Sequence, residues 1–286
     1  TSYPGHPRAV LAYYEMAGAY FDEKNYAKAA TYYGKVDFRA LSDEQASIGR
    51  FRWGYSLFSQ RNLLGSMDQF NAVKATGGQY GPAASYYAGF IELSVGDYDN
   101  ALIDFKRAEK SPAYTTIVPP LIATTLQRQG KDDELIAYAQ PLLDKEDMPV
   151  DDLSLLIAEA WFRKRDYKNA SPRYKEYLEG RESAPRTVYY RAGVSAWSTG
   201  NDEDALTYLK QAASAADSVG MHASYLLGSV YLKRNEKPLA LTAFETSKKF
   251  KQDPALAEES LFLSAKINYD LGRADVSINE FESVWE

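Results

Sequence analysis

Small residues recur along this chain at a period near 35: Ala17, Gly54, Gly89, Ala123, Ala158, Gly193, Gly228 and Ala265, spaced successively by 37, 35, 34, 35, 35, 35 and 37. Self-similarity at such a period marks one supersecondary unit repeated and stacked, which leaves few other architectures open. A second small column runs twelve positions behind the first, at Ala29, Ser66, Ala101, Leu135, Ala170, Ala205, Ala240 and Ser277, broken only by Leu135. Four residues further on, a large column follows at Tyr33, Phe70, Phe105, Ala139, Tyr174, Leu209, Phe244 and Phe281, broken only by Ala139. Two antiparallel helices that pack closely need a small residue where their backbones approach and a large one beside it to fill the gap. The columns therefore predict a helical hairpin in each unit.

Between the columns, apolar residues recur three and four apart, as in Met16, Tyr20 and Phe21 or Leu227, Val230 and Tyr231, which is helical spacing. Turn sequences such as Gly96-Asp97-Tyr98, Gly130-Lys131-Asp132 and Gly200-Asn201-Asp202 divide each unit. Gly adopts the left-handed conformation that stops the first helix, and Asp or Asn caps the second. Ser111-Pro112, Ala184-Pro185 and Asp253-Pro254 break the chain between units. The expected fold is all-α. A leader covers 1–9, and a single solenoid over 10–286 has units at about 10–43, 47–80, 82–115, 116–149, 151–184, 186–219, 221–254 and 258–286. The fourth unit departs most, with Pro119-Pro120 opening its first helix and Ala139 in the large column, so loose packing or a kink is expected there.

These residues resemble the tetratricopeptide repeat, whose pattern is W-x2-L-G-x2-Y, then A-x3-F, then P. The best local matches are Tyr225-Leu226-Leu227-Gly228-Ser229-Val230-Tyr231 with Ala240, Phe244 and Pro254, and Gly89 with Gly96-Asp97-Tyr98, Ala101, Phe105 and Ala108. The resemblance implies a right-handed superhelical α-solenoid of eight helix-turn-helix repeats that binds a protein or peptide in its concave groove. Pentatricopeptide repeats share the period but read RNA through a basic groove, and Sel1-like repeats are longer and place their glycines differently. The Tyr-rich repeats and the opening Tyr3-Pro4-Gly5-His6-Pro7-Arg8-Ala9 are similar to tetratricopeptide proteins of Gram-negative envelopes, which implies a periplasmic or cell-envelope placement, with the cytoplasm as the alternative. Two further readings are an accessory binding region of a longer envelope enzyme and a self-assembling structural scaffold.

Charge and residue inventory narrow the function classes. A net charge of −6 offers no broad positive field for phosphate backbones or anionic lipid, so no nucleic-acid partner is expected. No stretch reaches the length of uncharged apolar sequence that a membrane insertion needs. With no cysteine and only His6 and His222, neither a thiolate metal site nor a His-based triad can be assembled. The acidic runs Asp132-Asp133-Glu134 and Asp202-Glu203-Asp204 fit no calcium-loop spacing and sit where a second helix begins, so they read as helix-start charges. Gly77, Gly78 and Gly81 lack the Lys-Ser/Thr of a phosphate loop and read as a linker. No enzyme activity, cofactor or metal is expected.

The 23 tyrosines, against 12 Phe and 4 Trp, point instead to half-buried and contact positions, since Tyr pairs an apolar ring with a polar tip. In the family, three positions of each first helix line the groove. The earliest holds Tyr14, Phe51, Tyr86, Pro120, Leu155, Tyr190, Tyr225 and Phe262; seven residues on come Phe21, Phe58, Leu93, Gln127, Phe162, Trp197, Leu232 and Tyr269. Between them, Tyr55 and Phe90 stand where packing has less need of an aromatic ring, so with Tyr86 they form the first candidate patch. Tyr190, Arg191, Val194 and Trp197 form a second. Tyr14, Phe51 and Tyr86 occupy the place of the family's first chaperone-tail clamp lysine, and Arg52 and Arg191 alone do not rebuild that clamp, so an apolar or mixed segment is the expected ligand. The eighth unit's second helix carries Val276, Ile278, Phe281, Val284 and Trp285 without a polar capping helix after it. A longer protein, or self-association through the C-terminal repeat, is expected from this.

Overall fold

A left-handed residue ends the first helix of every hairpin. Lys24, Arg61, Gly96, Gly130, Arg165, Gly200, Asn235 and Gly272 all have φ between 59° and 84°. Four of these eight positions are not glycine. The next residue begins the second helix, and Asn25, Asn62, Asp97, Asp166 and Asn201 accept a backbone N–H three residues on, as N-caps do. The acidic runs fall in the first turns of second helices, where the helix dipole favours them.

The computed structural model describes residues 7–145, 147–249 and 253–285. Among these it holds sixteen α-helices and no strand, as the columns predict. They divide into two compact units, 1–149 and 150–286. The first unit contains α1 (Pro7–Asp22), α2 (Tyr26–Tyr33), α3 (Asp43–Ser59), α4 (Leu63–Thr76), α5 (Gly81–Val95), α6 (Tyr98–Ala108), α7 (Pro119–Arg128) and α8 (Asp132–Ala139). The second contains α9 (Val150–Arg163), α10 (Tyr167–Leu178), α11 (Arg186–Ser198), α12 (Asp202–Ala212), α13 (Ser218–Lys233), α14 (Lys237–Ser247), α15 (Pro254–Asp270) and α16 (Ala274–Trp285). Within each unit the helices pair as hairpins, and each hairpin packs on the next. Residues 1–6, including His6, lie outside the described residues.

The three columns meet where the hairpins close. Both small columns are buried throughout, and the large column is buried except for half-buried Phe281. A Cβ placed on Gly54, Gly89, Gly193 or Gly228 would come within 2.8, 2.9, 2.6 and 2.6 Å of the side chains of Phe70, Phe105, Leu209 and Phe244. The glycines are thus set by the large residue sixteen positions later. Where the second small column holds Ser rather than Ala, the hydroxyl is satisfied across the hairpin: Ser66 donates to the Gly54 carbonyl at 2.8 Å, and Ser277 to that of Ala265 at 2.9 Å. In the fourth repeat, Leu135 and Ala139 are both fully buried, so the bulk has moved by one helical turn instead of being lost. Pro119 and Pro120 form the first turn of α7, where a missing N–H costs nothing, and initiate the helix rather than kinking it.

Two hairpins also carry an ionic group in the same register, buried in the third repeat and half-buried in the eighth. In the third repeat, Asp104 on α6 pairs with Lys74 from α4 and lies beside Glu92 on α5; Glu92 and Asp104 are 8% and 4% exposed. Glu92 Oε2 is buried without a hydrogen-bond partner, and burial, then the Asp104 carboxylate, push the Glu92 pKa up to about 7. In the eighth repeat Glu280 stands in the place of Asp104, Lys248 in that of Lys74 and Asn268 in that of Glu92. There Lys248 and Asn268 donate to the two oxygens of Glu280 at 2.7 and 2.8 Å.

Candidate functional site

In the first unit the rings of three consecutive repeats touch in sequence. Phe21 on α1, Tyr26 at the start of α2 and Tyr55 on α3 form a triangle with centroid separations of 5.5, 5.7 and 5.3 Å. Tyr55 meets Tyr87 on α5 at 5.3 Å, Tyr87 meets Phe58 at 5.3 Å, and Phe58 meets Phe90 at 6.0 Å. Tyr87 further contacts Phe51, Phe70 and Tyr86, and Tyr86 leans on Tyr114 at 5.1 Å. Most of these contacts are edge-on or tilted, the arrangement that aromatic quadrupoles prefer.

Three of the candidate residues, Tyr55, Tyr86 and Phe90, therefore belong to one patch, joined through Tyr87 and Phe58. Phe90 is the exposed member, with 42% of its surface accessible. Tyr55 and Tyr86 are half-buried. Tyr87 is the hub, and its pKa is pushed up to about 12, first by burial and then by the neighbouring tyrosines. Burial also raises Tyr26, which shares a hydrogen bond with Tyr55. Phe51 is half-buried against Tyr80 at 5.0 Å. Tyr14 packs edge-on to Tyr33 at 6.3 Å and is raised by burial, with Arg52 opposing.

The second candidate patch, on α11 of the second unit, divides between two neighbours. Tyr190 turns toward α13, with His222 at 6.4 Å, and burial raises its pKa. The same His222 approaches the Ser218 carbonyl at 2.8 Å through Nδ1. Trp197 packs half-buried against the core of the sixth and seventh repeats, and Val194 is half-buried. Arg191 turns back toward α9, where it pairs with Glu159 and lies 5.8 Å from the Phe162 ring. Tyr225 on α13 meets Phe244 edge-on at 5.7 Å and is raised by burial, then by Glu259.

Among the described residues, the large apolar side chains exposed on the eighth repeat are Phe262, Tyr269, Leu271, Val276 and Ile278. Phe281 is turned inward against Phe262 at 5.7 Å, and the Trp285 side chain lies outside the described residues. Among the described residues no group of three or more His, Asp or Glu side chains is placed to hold a metal ion, and no helix is long and apolar enough to cross a membrane.

Comparison with known proteins agrees with this architecture. The family model of the tetratricopeptide repeat matches residues 190–257, from α11 to the start of α15. A tetratricopeptide repeat protein from Parabacteroides merdae is similar in fold at 11% identity and a TM-score of 0.54, over 90% of this chain and 99% of that one. The C-terminal part of a repeat-containing protein of the same kind from Cytophaga hutchinsonii gives 14% identity and a TM-score of 0.63, over 87% and 99%. YrrB, described as having an unusual peptide-binding site, gives 17% and 0.51, over 65% and 97%. No curated protein matches the chain.

Proposed function

We propose that this chain, a tetratricopeptide repeat protein, is a scaffold that binds a protein or peptide segment, and that an apolar or mixed segment docks on the aromatic surface of its first unit. The observation that carries this reading is the unbroken run of rings from Phe21 to Phe90 across three repeats, ending in an exposed phenyl ring. Rings already fixed by their neighbours lose little rotamer freedom on binding, so more of the contact energy reaches the complex. The tyrosine hydroxyls supply a polar edge, and aromatic anchors of this kind are where interface energy concentrates. The peptide-binding description of YrrB supports the same class of ligand.

Selection of peptides from a random displayed library against the intact chain tests it. Enriched peptides should be rich in apolar and aromatic residues. The Tyr55→Ala, Phe90→Ala double variant should bind them at least about fivefold more weakly, a loss of more than about 1 kcal/mol, at unchanged helical circular dichroism. Undiminished binding by the folded double variant would sink this placement and move the site to the Tyr190–Trp197 surface.

A second reading, self-association through the eighth repeat, is favoured by Val276 and Ile278 on α16, which are 47% and 55% exposed. Sedimentation across a range of concentrations, with Ile278→Ser for comparison, tests it.

A further inference from the structure

The first and fifth repeats share a small constellation in the same register. Phe21, Tyr26 and Tyr33 in the first correspond to Phe162, Tyr167 and Tyr174 in the fifth, and an arginine from the next repeat, Arg52 or Arg191, lies over the phenylalanine at 5.0 or 5.8 Å. The phenylalanine and tyrosine meet edge-on in both, at 5.5 and 5.6 Å. The two differ in charge. In the first repeat, Asp22 follows the phenylalanine and closes onto Arg52 at 3.3 Å, so the chain supplies its own carboxylate at the rim. In the fifth, that position is Arg163. The carboxylate has moved inward to Glu159, in the place of Gly18, where the Tyr174 hydroxyl donates to Oε1 at 3.0 Å and Arg191 pairs with Oε2. Glu159 is 6% exposed and both of its oxygens are occupied.

What remains is a cavity of about 390 Å³ lined by Glu159, Phe162, Arg163, Arg165, Tyr167 and Arg191. Arg165 and Arg191 line it beside the buried Glu159, a local basic site on a chain whose net charge is −6. Among the described residues, no side chain pairs with Arg165, and Arg191 uses only Nη1 in pairing with Glu159. Guanidinium forks match carboxylate geometry, and among the described residues no side chain takes up the N–H groups of Arg165 or the remaining ones of Arg191. We infer that this cavity binds an acidic side chain of a partner peptide, its carboxylate held by Arg165 and Arg191 and its methylene stem laid against Phe162 and Tyr167. The site is separate from the aromatic surface of the first unit and differs from it in ligand chemistry.

The test is a calorimetric titration of the intact chain at low salt with an end-blocked hexaglutamate peptide, with end-blocked hexaglutamine as the neutral probe. Arg165 occupies a left-handed turn position with φ 59°, so Arg165→Gly removes the charge while suiting the backbone. Arg61, at the same turn of the second repeat with φ 60°, gives a matched control as Arg61→Gly. Hexaglutamate should bind the wild type and Arg61→Gly alike, Arg165→Gly roughly threefold to fivefold more weakly, and hexaglutamine not at all. Arg163→Asp, which restores the first repeat's pattern, should abolish binding. Equal binding by Arg165→Gly, an equal loss in Arg61→Gly, or no binding of hexaglutamate to the wild type would overturn the assignment.

Discussion

Replacing Glu92 by Gln should stabilise the protein at alkaline pH and leave it nearly unchanged in mild acid. The eighth repeat supplies the template, because Asn268 there gives its amide hydrogen to Glu280 while Lys248 satisfies the other oxygen. Glu92 can make the equivalent bond to Asp104 only by keeping a proton. Burial raises its pKa from 4.5 to about 7; Asp104 and Asp97 push the same way, and Lys74 opposes them. The native state therefore retains a proton that the unfolded chain releases near its ordinary value of about 4.3. By linkage, stability falls as pH rises through the interval from about 4.5 to about 7, and the penalty is complete above it. At about 1.4 kcal/mol per pH unit the ceiling is about 3.5 kcal/mol, and relaxation around the ionised group brings the expected gain for Glu92→Gln to about 1–2 kcal/mol. Urea denaturation followed by tryptophan fluorescence, at pH values of about 5 and 8 for both proteins, measures it. A variant less stable than wild type at the higher pH, or a difference independent of pH, would refute the reasoning.

Gly193→Leu should cost about 1–3 kcal/mol or more, because even a Cβ there reaches 2.6 Å from Leu209; melting alongside wild type would show that the columns do not pack as described. Tyr87→Ala should destabilise the first unit by about 2–4 kcal/mol, since it removes the ring that five others contact, whereas exposed Phe90→Ala should cost less than about 1 kcal/mol; denaturant midpoints distinguish the two. Asp97→Ala should cost about 1 kcal/mol through loss of the α6 cap, read in the same way.

The hairpins were legible in the sequence because close helix packing leaves no latitude at the crossing. Gly54, Gly89, Gly193 and Gly228 sit where a Cβ would strike the large residue of the partner helix, so the constraint recurs wherever the hairpin does. The turns were legible only in part. Glycine signals the left-handed position at Gly96, Gly130, Gly200 and Gly272, and asparagine, the other residue type that tolerates it, does so at Asn235, but Lys24, Arg61 and Arg165 adopt it as well, and nothing in those residue types announces it. The hairpin geometry imposes that conformation at a cost of about 1–2 kcal/mol for a residue bearing a Cβ, which the packing on either side absorbs. The fourth repeat misled for a related reason. Prolines read as breakers unless they fall in the first turn, and Leu135 beside Ala139 reads as two faults until their burial shows one exchange of volume.

The candidate surfaces follow a different rule. Periodic columns identify what every repeat needs, and Tyr55, Tyr86 and Phe90 were candidates because their positions on the first helix can be counted from the crossing. Tyr87 and Tyr26 escaped that count, one lying next to a counted position and the other on a second helix, although they join the counted rings into a single patch. The polar groups escaped it more completely. Glu92 stands where the other repeats hold Tyr20, Leu57, Leu126, Trp161, Ala196, Tyr231 and Asn268, and Arg163 stands where the first repeat holds Asp22. A substitution confined to one repeat leaves no periodic signal, yet it is the only kind that can give one repeat a chemistry its neighbours lack. In a repeat protein, then, recurrence reports the packing that all units share, and the residues that break it, placed against their counterparts in other repeats, are where a particular ligand or a particular pH response is encoded.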